Sequence, residues 1–229
     1  FSGINSSDLT NQEVEQMRPE VYEAISNAST SPVFLKIHDT YSKSSKHVPL
    51  VSKKASKSII YLVRNPLDIA ISFAEFKGVD VDQMIQEMED TENTLAKSTS
   101  LTLKMQLPQR LSSWSQHVIG WTQQRDIPIK VIRYEDLLKD PLFSFKRVTQ
   151  FLDLNHTDEE INNAIEKSKF ATLREKELKF GFKDKFPNTE YFFRKGIQGE
   201  GLEKLSTQQI DRIKTVHGNV MATYNYLHP

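Results

Sequence analysis

The chain has no cysteine, only 8 glycines in 229 residues and no long apolar run. Without cysteine, disulfide bonds, thiolate zinc sites and thiol catalysis are excluded. No apolar run approaches the ~18 residues of a membrane span and no signal peptide is visible, so we expect a cytoplasmic protein without a membrane span. An excess of charge is also lacking, because 30 Lys and Arg residues balance 30 Asp and Glu residues. Bulk electrostatics therefore give no reason to expect a nucleic-acid partner, and any anion site must be local.

The composition is that of an ordinary globular domain, with 38% hydrophobic and 26% charged residues. No repeat, linker or shift in composition divides the chain, and its length supports one sizeable core. We therefore expect a single domain over residues 1–229. Because the first residue is Phe1, we also expect this domain to lack an N-terminal segment that a longer chain would supply.

The most informative stretch is residues 58–76, which reads as a strand, a sharp turn and a helix. Ile59 to Val63 is an apolar, β-branched run, and the spacing becomes helical after Asn65 and Pro66, which suit a helix N-cap and first turn. Such a turn would leave backbone N–H groups and the positive end of a helix beside Arg64, which is a place for an anion. Ser72 lies about two turns further on, so its hydroxyl can point back to the same anion. The alternative is an Arg that caps a neighbouring carbonyl and a Ser that bonds its own helix.

Two further segments, Val33 to Ile37 and Ile127 to Arg133, also have the character of buried strands. Three buried strands separated by helices predict an α/β fold with three layers, in which a mostly parallel sheet is flanked by helices. Polar side chains stand at the strand ends and would share one face of the sheet: Lys36, His38, Arg64 and Tyr134.

Two loops carry further cations. The segment from Tyr41 to Lys57 is rich in lysine and is either a solvated basic loop or a mobile lid over an anionic ligand. The long segment from Phe180 to Gly201 contains an Arg-Lys-Gly triplet at 194–196, which suits a close approach of the backbone to a phosphate. Several cations converging on one ligand indicate a polyanion such as a nucleotide with more than one phosphate. The sequence shows no cluster of metal ligands.

In this order and spacing, these motifs resemble the soluble sulfotransferases that use 3′-phosphoadenosine 5′-phosphosulfate (PAPS). The resemblance covers nearly the whole chain, through Lys-Ile-His at 36–38, Tyr-Leu-Val-Arg-Asn-Pro-Leu-Asp at 61–68 with Ser72, Trp-Ser at 114–115 with His117, Val118 and Trp121, Arg-Tyr-Glu-Asp-Leu at 133–137 with Asp-Pro at 140–141, and Phe-Arg-Lys-Gly at 193–196. It implies the sulfotransferase fold, which is related to that of the P-loop NTPases.

The resemblance also implies roles for individual residues. Arg64 and Ser72 would bind the 3′-phosphate, and Arg194, Lys195 and Gly196 would close over it. Contacts to the adenine would come from Tyr134, Ser168 and Phe170.

Two residues of the first polar segment match the family's catalytic pair. His38 matches the general base, and Lys36 matches the lysine that steadies the sulfonate. A His with an ordinary pKa of ~6.5 is suited to take the proton of an acceptor hydroxyl.

The chain also departs from the family pattern. Nothing before Lys36 fits the phosphate loop P-K-x-G-T-T-W with which the family normally begins, and we expect that loop upstream of Phe1. Asp39 follows His38 where many animal members have Leu, and it either orients the imidazole or forms a turn.

The resemblance therefore implies a PAPS-dependent sulfotransferase of the EC 2.8.2 type. It would move a sulfonate to a hydroxyl or amine of a small or medium acceptor, release 3′-phosphoadenosine 5′-phosphate (PAP) and need no metal. The acceptor and the oligomeric state are left open. The alternatives are a non-catalytic protein that binds a nucleotide or sulfated ligand, and a kinase-like phosphotransferase.

Overall fold

The computed structural model describes residues 9–43, 48–95, 108–182 and 190–227. The fold class is α/β, as predicted. The helices are α1 (Asn11–Ala28), α2 (Pro66–Lys77), α3 (Val81–Glu89), α4 (Trp114–Gln123), α5 (Tyr134–Lys139), α6 (Pro141–Phe151), α7 (Asp158–Ser168), α8 (Phe170–Phe180), α9 (Glu200–Lys204) and α10 (Thr207–Thr223). The strands are β1 (Ile59–Val63), β2 (Thr94–Leu95), β3 (Gln109–Arg110) and β4 (Ile129–Arg133).

The chain divides into two compact units. The first unit comprises Phe1–Ile59 and Met88–Ile129, and the second comprises Ile60–Glu87 and Lys130–Pro229. Each unit is described by itself below. Among the described residues, no helix is both long and apolar enough to cross a membrane.

The strand, turn and helix predicted around residue 64 are confirmed. β1 pairs with β4 in a parallel sheet, and α2 begins directly after the turn that follows β1. The Asn65 side chain accepts a hydrogen bond from the N–H of Leu67 at 3.0 Å, and Pro66 occupies the first helical position. The helix therefore starts where its capping residues dictate.

The strand predicted from Val33 to Ile37 is wrong. Residues 32–40 belong to no strand, and the side chains of Val33, Phe34 and Leu35 are 50%, 71% and 52% exposed. A β-branched apolar run supplies propensity, but a strand forms only when its N–H and C=O groups pair with a neighbour. In the described residues the parallel sheet accordingly has two strands rather than three, and a short antiparallel pair joins β2 to β3.

The first unit has its core around α4. The side chains of Trp114, Val118, Trp121 and Ile127 are buried there. In the lysine-rich segment that follows Tyr41, residues 44–47 lie outside the described residues, and Leu50 and Val51 are buried. The lid over an anionic ligand stays a prediction.

The second unit is built on α2, which packs against α9 and α10. Gly201 of α9 lies so close to α2 that a Cβ atom on it would meet the carbonyl carbon of Leu67 at 2.4 Å. Only a glycine fits this close approach. At the end of the chain, the hydroxyl of buried Tyr226 lies 2.7 Å from Glu135 Oε2 and 3.3 Å from the carbonyl oxygen of Val63. This side chain fixes the end of β1 to the start of α5.

Candidate functional site

Arg64 stands at the end of β1 in the second unit, and its guanidinium group is fixed on several sides. It lies 4.5 Å from the centre of the Tyr134 ring, and its Nη2 donates to the carbonyl oxygen of Ile197 at 2.9 Å. Asp68 Oδ2 is 3.9 Å from the same Nη2. The Nε atom of Arg64 is buried and has no hydrogen-bond partner among the described residues. A buried guanidinium N–H without a partner costs free energy, which an acceptor on a ligand would recover.

The start of α2 offers fewer free donors than the sequence predicts. The N–H of Asn65 donates to Glu135 Oε1 at 2.9 Å, and the N–H of Leu67 donates to the Asn65 side chain. A carboxylate from α5 therefore already faces this end of the helix, where negative charge is favourable. An anion at this end of the helix would have to be held by the side-chain cations rather than by these two N–H groups.

Arg194 reaches the same helix from the segment that precedes α9. Its Nη2 donates to the carbonyl oxygen of Ser72 at 3.3 Å, and its guanidinium forms an ion pair with Glu75. Burial holds the pKa of Arg194 below its usual value; Glu200 opposes this shift and the nearby Arg64 adds to it. Two guanidinium groups whose charges repel each other are a setting in which a bound anion lowers the energy.

Gly196 and Phe170, both predicted to bind nucleotide, pack against each other. A Cβ atom at position 196 would lie 2.6 Å from the Phe170 ring, and the φ of Gly196 is +64°. Both the backbone conformation and the contact with the ring therefore require glycine here. The start of α8 and the Arg-Lys-Gly segment form one surface.

A network of ion pairs surrounds this segment. Lys195 and Lys204 both bond the buried carboxylate of Glu200, and Lys204 lies 3.0 Å from Glu75 as well. Burial raises the pKa of Glu200, but the hydrogen bonds from Lys195 and Lys204 outweigh it and bring the pKa below its usual value. The exposed Lys195 side chain is therefore paired with Glu200 in this structure, and it would have to leave this ion pair to reach a ligand.

Two buried carboxylates that the sequence did not single out hold the same segment in place. Asp68 accepts hydrogen bonds from the N–H groups of Gly199 and Gly201 at 2.9 and 2.8 Å. Glu177 accepts from the N–H groups of Phe192 and Phe193 at 2.5 and 2.9 Å. Asp68 ends the motif at 61–68, but no local pattern reveals what either carboxylate binds, because the partners lie 131 and 133 residues from Asp68 and 15 and 16 from Glu177.

The two predicted serines differ in their surroundings. Ser72 is half-buried on α2, and among the described residues only its carbonyl makes a contact with Arg194. Ser168 is exposed at the end of α7, and its hydroxyl lies 2.9 and 3.1 Å from the carbonyl oxygens of Ala164 and Ile165. The Ser168 hydroxyl is thus bonded to its own helix and not to the other predicted ligands.

Lys36 and His38 lie in the first unit, where both are exposed. The backbone carbonyl of His38 is 3.1 Å from His117 Nε2, and burial, opposed by this contact, lowers the pKa of His117.

Asp39 holds the backbone next to His38. Its carboxylate accepts two hydrogen bonds from Arg18, at 2.6 and 3.1 Å, and one from the N–H of Arg110. Its carbonyl accepts from Trp121 Nε1 at 2.9 Å. In the described residues these contacts favour a backbone-anchoring role for Asp39 over orientation of the imidazole. Nearby in the same unit, burial and then a hydrogen bond to Asp126 raise the pKa of Tyr41 to about 12.

A comparison of this chain with known protein families identifies the family to which it belongs. The family model described as "Sulfotransferase domain" matches residues 5–225 of this chain. The chain belongs to the sulfotransferase domain family.

Among curated relatives, this sulfotransferase domain is 28% identical to the 3-alpha-hydroxysteroid sulfotransferase of Cavia porcellus, over 78% of this chain and 62% of the relative. It is 25% identical to the amine sulfotransferase of Oryctolagus cuniculus, over 77% of this chain and 58% of the relative. Cytosolic sulfotransferase 13 of Arabidopsis thaliana is 28% identical to this chain, over 73% of this chain and 55% of the relative. The chain thus spans about three fifths of the length of these relatives.

Two solved structures share the fold. The mouse sulfotransferase SULT7A1, complexed with PAP, has a TM-score of 0.54 and 22% identity, and the match covers 81% of this chain and 64% of that one. Retinol dehydratase, in complex with androsterone and inactive cofactor PAP, has a TM-score of 0.58 and 19% identity, and the match covers 86% of this chain and 56% of that one.

The second unit of this sulfotransferase domain carries side chains whose chemistry suits a phosphate and a base. Arg64 brings a buried N–H without a partner, Arg194 brings a second guanidinium, and the Tyr134 ring lies beside the first. Guanidinium groups match the geometry of phosphate oxygens, and an aromatic ring suits the face of a base. In the described residues no group of three or more His, Cys, Asp or Glu side chains is arranged to hold a metal ion.

Proposed function

We propose that this chain carries the PAPS-binding part of a sulfotransferase that transfers a sulfonate from PAPS to a hydroxyl or amine of a small or medium acceptor. The observation that carries the proposal is a pair of guanidinium groups, Arg64 at the end of β1 with its buried Nε and Arg194 against α2, in a chain of the sulfotransferase family. A relative named cytosolic sulfotransferase 13 also supports a cytoplasmic location.

On this proposal the nucleotide contacts come from residues of the second unit. Arg64 and Arg194 bind the 3′-phosphate, with the hydroxyl of Ser72 turned to the same group. Tyr134 and Phe170 contact the adenine. Ser168 and Lys195 join them only after leaving their present hydrogen bonds, while Gly196 lets the backbone approach.

We assign the chemical step to His38 and Lys36, as the resemblance to the family implies. His38 takes the proton of the acceptor as the new O–S or N–S bond forms and the bond from sulfur to the 5′-phosphate of PAPS breaks, which leaves PAP. Lys36 stabilises the transferred sulfonate through its positive charge. The contacts that Asp39 and His117 make around residue 38 support this role, because a general base works best on a fixed backbone.

Calorimetric binding of PAP to the full chain tests the nucleotide site, with 5′-AMP as the comparison. We expect PAP to bind much more tightly than 5′-AMP. A change of Arg64 or Arg194 to Ala should weaken the binding of PAP about 10- to 100-fold, since hydrogen bonds to charged groups are worth about 1.5–3 kcal/mol. Arg147→Ala is the matched control, because this exposed guanidinium lies over Phe143 on α6. Equal binding of PAP and 5′-AMP would refute the site.

Transfer of labelled sulfonate from PAPS to a panel of hydroxysteroids and amines tests the reaction, since two relatives are named for such acceptors. His38→Ala should lower turnover about 100-fold or more while PAP affinity is retained. Tight PAP binding without transfer to any acceptor would favour the non-catalytic nucleotide-binding protein instead.

A further inference from the structure

The segment that carries Arg194, Lys195 and Gly196 is held on both sides by buried carboxylates. On the N-terminal side, Glu177 of α8 accepts two backbone N–H groups, those of residues 192 and 193. On the C-terminal side, Asp68 of α2 accepts those of residues 199 and 201.

Neither carboxylate serves mainly as a partner for a cation. The exposed fractions of Asp68 and Glu177 are 2% and 6%. The cation nearest Asp68 is Arg64 at 3.9 Å, and Glu177 has no ion pair among the described residues. A buried charge is costly unless it is well bonded, and two backbone donors are what stabilise each carboxylate here. The carboxylates of Asp68 and Glu177 therefore bind backbone N–H groups of residues 192–201.

The two anchors also tie the segment to the helices that carry the other predicted nucleotide contacts. α2 follows Arg64 directly and contains Ser72, and α8 begins with Phe170. A second contact strengthens the link to α8, because Arg174 donates to the carbonyl oxygen of Phe193. The position of Arg194 relative to Arg64 is thus set by the backbone on both of its sides.

We propose that Asp68 and Glu177 are positioning residues, which hold the backbone of residues 192–201 so that Arg194 and Gly196 face the 3′-phosphate. This inference rests on the proposed function. It predicts that the loss of either carboxylate weakens the discrimination in favour of a 3′-phosphate, although neither side chain touches the nucleotide. A packing role alone would lower stability and affect all nucleotides alike.

The test uses Asp68→Asn and Glu177→Gln in the full chain. An amide keeps the size of the side chain but turns one acceptor into a donor, which then faces a backbone N–H. Asp140→Asn is the matched control, since its exposed carboxylate accepts the N–H of Phe143 at 3.0 Å to cap α6. Hydrogen exchange without nucleotide measures the anchors, and binding of PAP and 5′-AMP measures their effect.

We expect exchange within residues 192–201 to become about 10-fold faster and the Kd for PAP to rise about 10-fold or more in both variants. The Kd for 5′-AMP should change less than about twofold, and the control should match the wild type. If the wild type prefers PAP and the variants prefer it equally, the inference is wrong and the proposed function stands. A wild type that does not distinguish PAP from 5′-AMP would overturn both. Should Asp68→Asn fail to fold, Glu177→Gln decides alone.

Discussion

The contact between Gly196 and Phe170 allows a prediction whose size follows from the geometry. In Gly196→Ala, the new Cβ would sit 2.6 Å from Cδ2 and 3.2 Å from Cγ of the ring. The backbone conformation, with φ at +64°, costs an alanine about 1 kcal/mol. Displacing a half-buried ring adds about 1–3 kcal/mol. We therefore expect the free energy of unfolding to fall by about 2–4 kcal/mol.

Gly78→Ala supplies a closely matched control. Gly78 ends α2 with φ at +69°, and a Cβ on it would meet no atom within 4 Å. This variant should lose only about 1 kcal/mol, the cost of the backbone conformation. Its affinity for PAP should equal that of the wild type, whereas Gly196→Ala should bind PAP more weakly.

Urea unfolding of both variants, each also in a Phe170→Ala background, measures the contact. Without the ring, the added cost of Gly196→Ala should disappear, and its loss should approach that of Gly78→Ala. Equal losses in the two single variants, or no coupling with Phe170, would refute the tight contact and with it the common surface of α8 and the Arg-Lys-Gly segment.

Three further predictions concern charges. Asp39→Ala should cost about 3–5 kcal/mol in urea unfolding, because it leaves the Arg18 guanidinium, only 11% exposed, without its carboxylate; a loss under about 1 kcal/mol would contradict this. Burial and a carboxylate partner raise the pKa of Tyr41 from 10 to about 12, so the protonated hydroxyl stabilises the fold fully below pH 10 and this stabilisation is lost as the pH rises through 12. Tyr41→Phe should therefore reduce the change in the free energy of unfolding between pH 10 and pH 12. An unchanged pH dependence in this variant would contradict the prediction. Glu75→Gln should tighten PAP binding up to about fivefold in calorimetry, because the Glu75 carboxylate pairs with Arg194 and competes with a phosphate; weaker binding would show that Glu75 orients Arg194 instead.

Local chemistry explains what the sequence predicted correctly. The apolar run of β1, the cap at Asn65 and the proline after it determine the strand, the turn and the helix from neighbouring residues alone. α7 likewise begins at a local signal, the capping box of Thr157 and Glu160.

Pairing over long distances explains the rest. Val33 to Ile37 has the composition of a strand but belongs to no strand in the described residues, and composition cannot report whether a neighbouring strand is available. Asp68 looks like an acid in a first helical turn, and its bonds to residues 199 and 201 exist only in the folded chain. The sequence therefore predicts the cations of the candidate site but not the carboxylates that hold them.

The bond between Tyr226 and the end of β1 has a consequence for how the protein is made. Val63 and Tyr226 are 163 residues apart in the chain. Closing so long a loop is slow, and α10 and Tyr226 are synthesised long after β1. The buried face of α2, with Leu67 and Ile71, stays uncovered until α9 and α10, which pack against α2, have been synthesised. We expect the second unit to complete its fold only after α10 and Tyr226 have been synthesised.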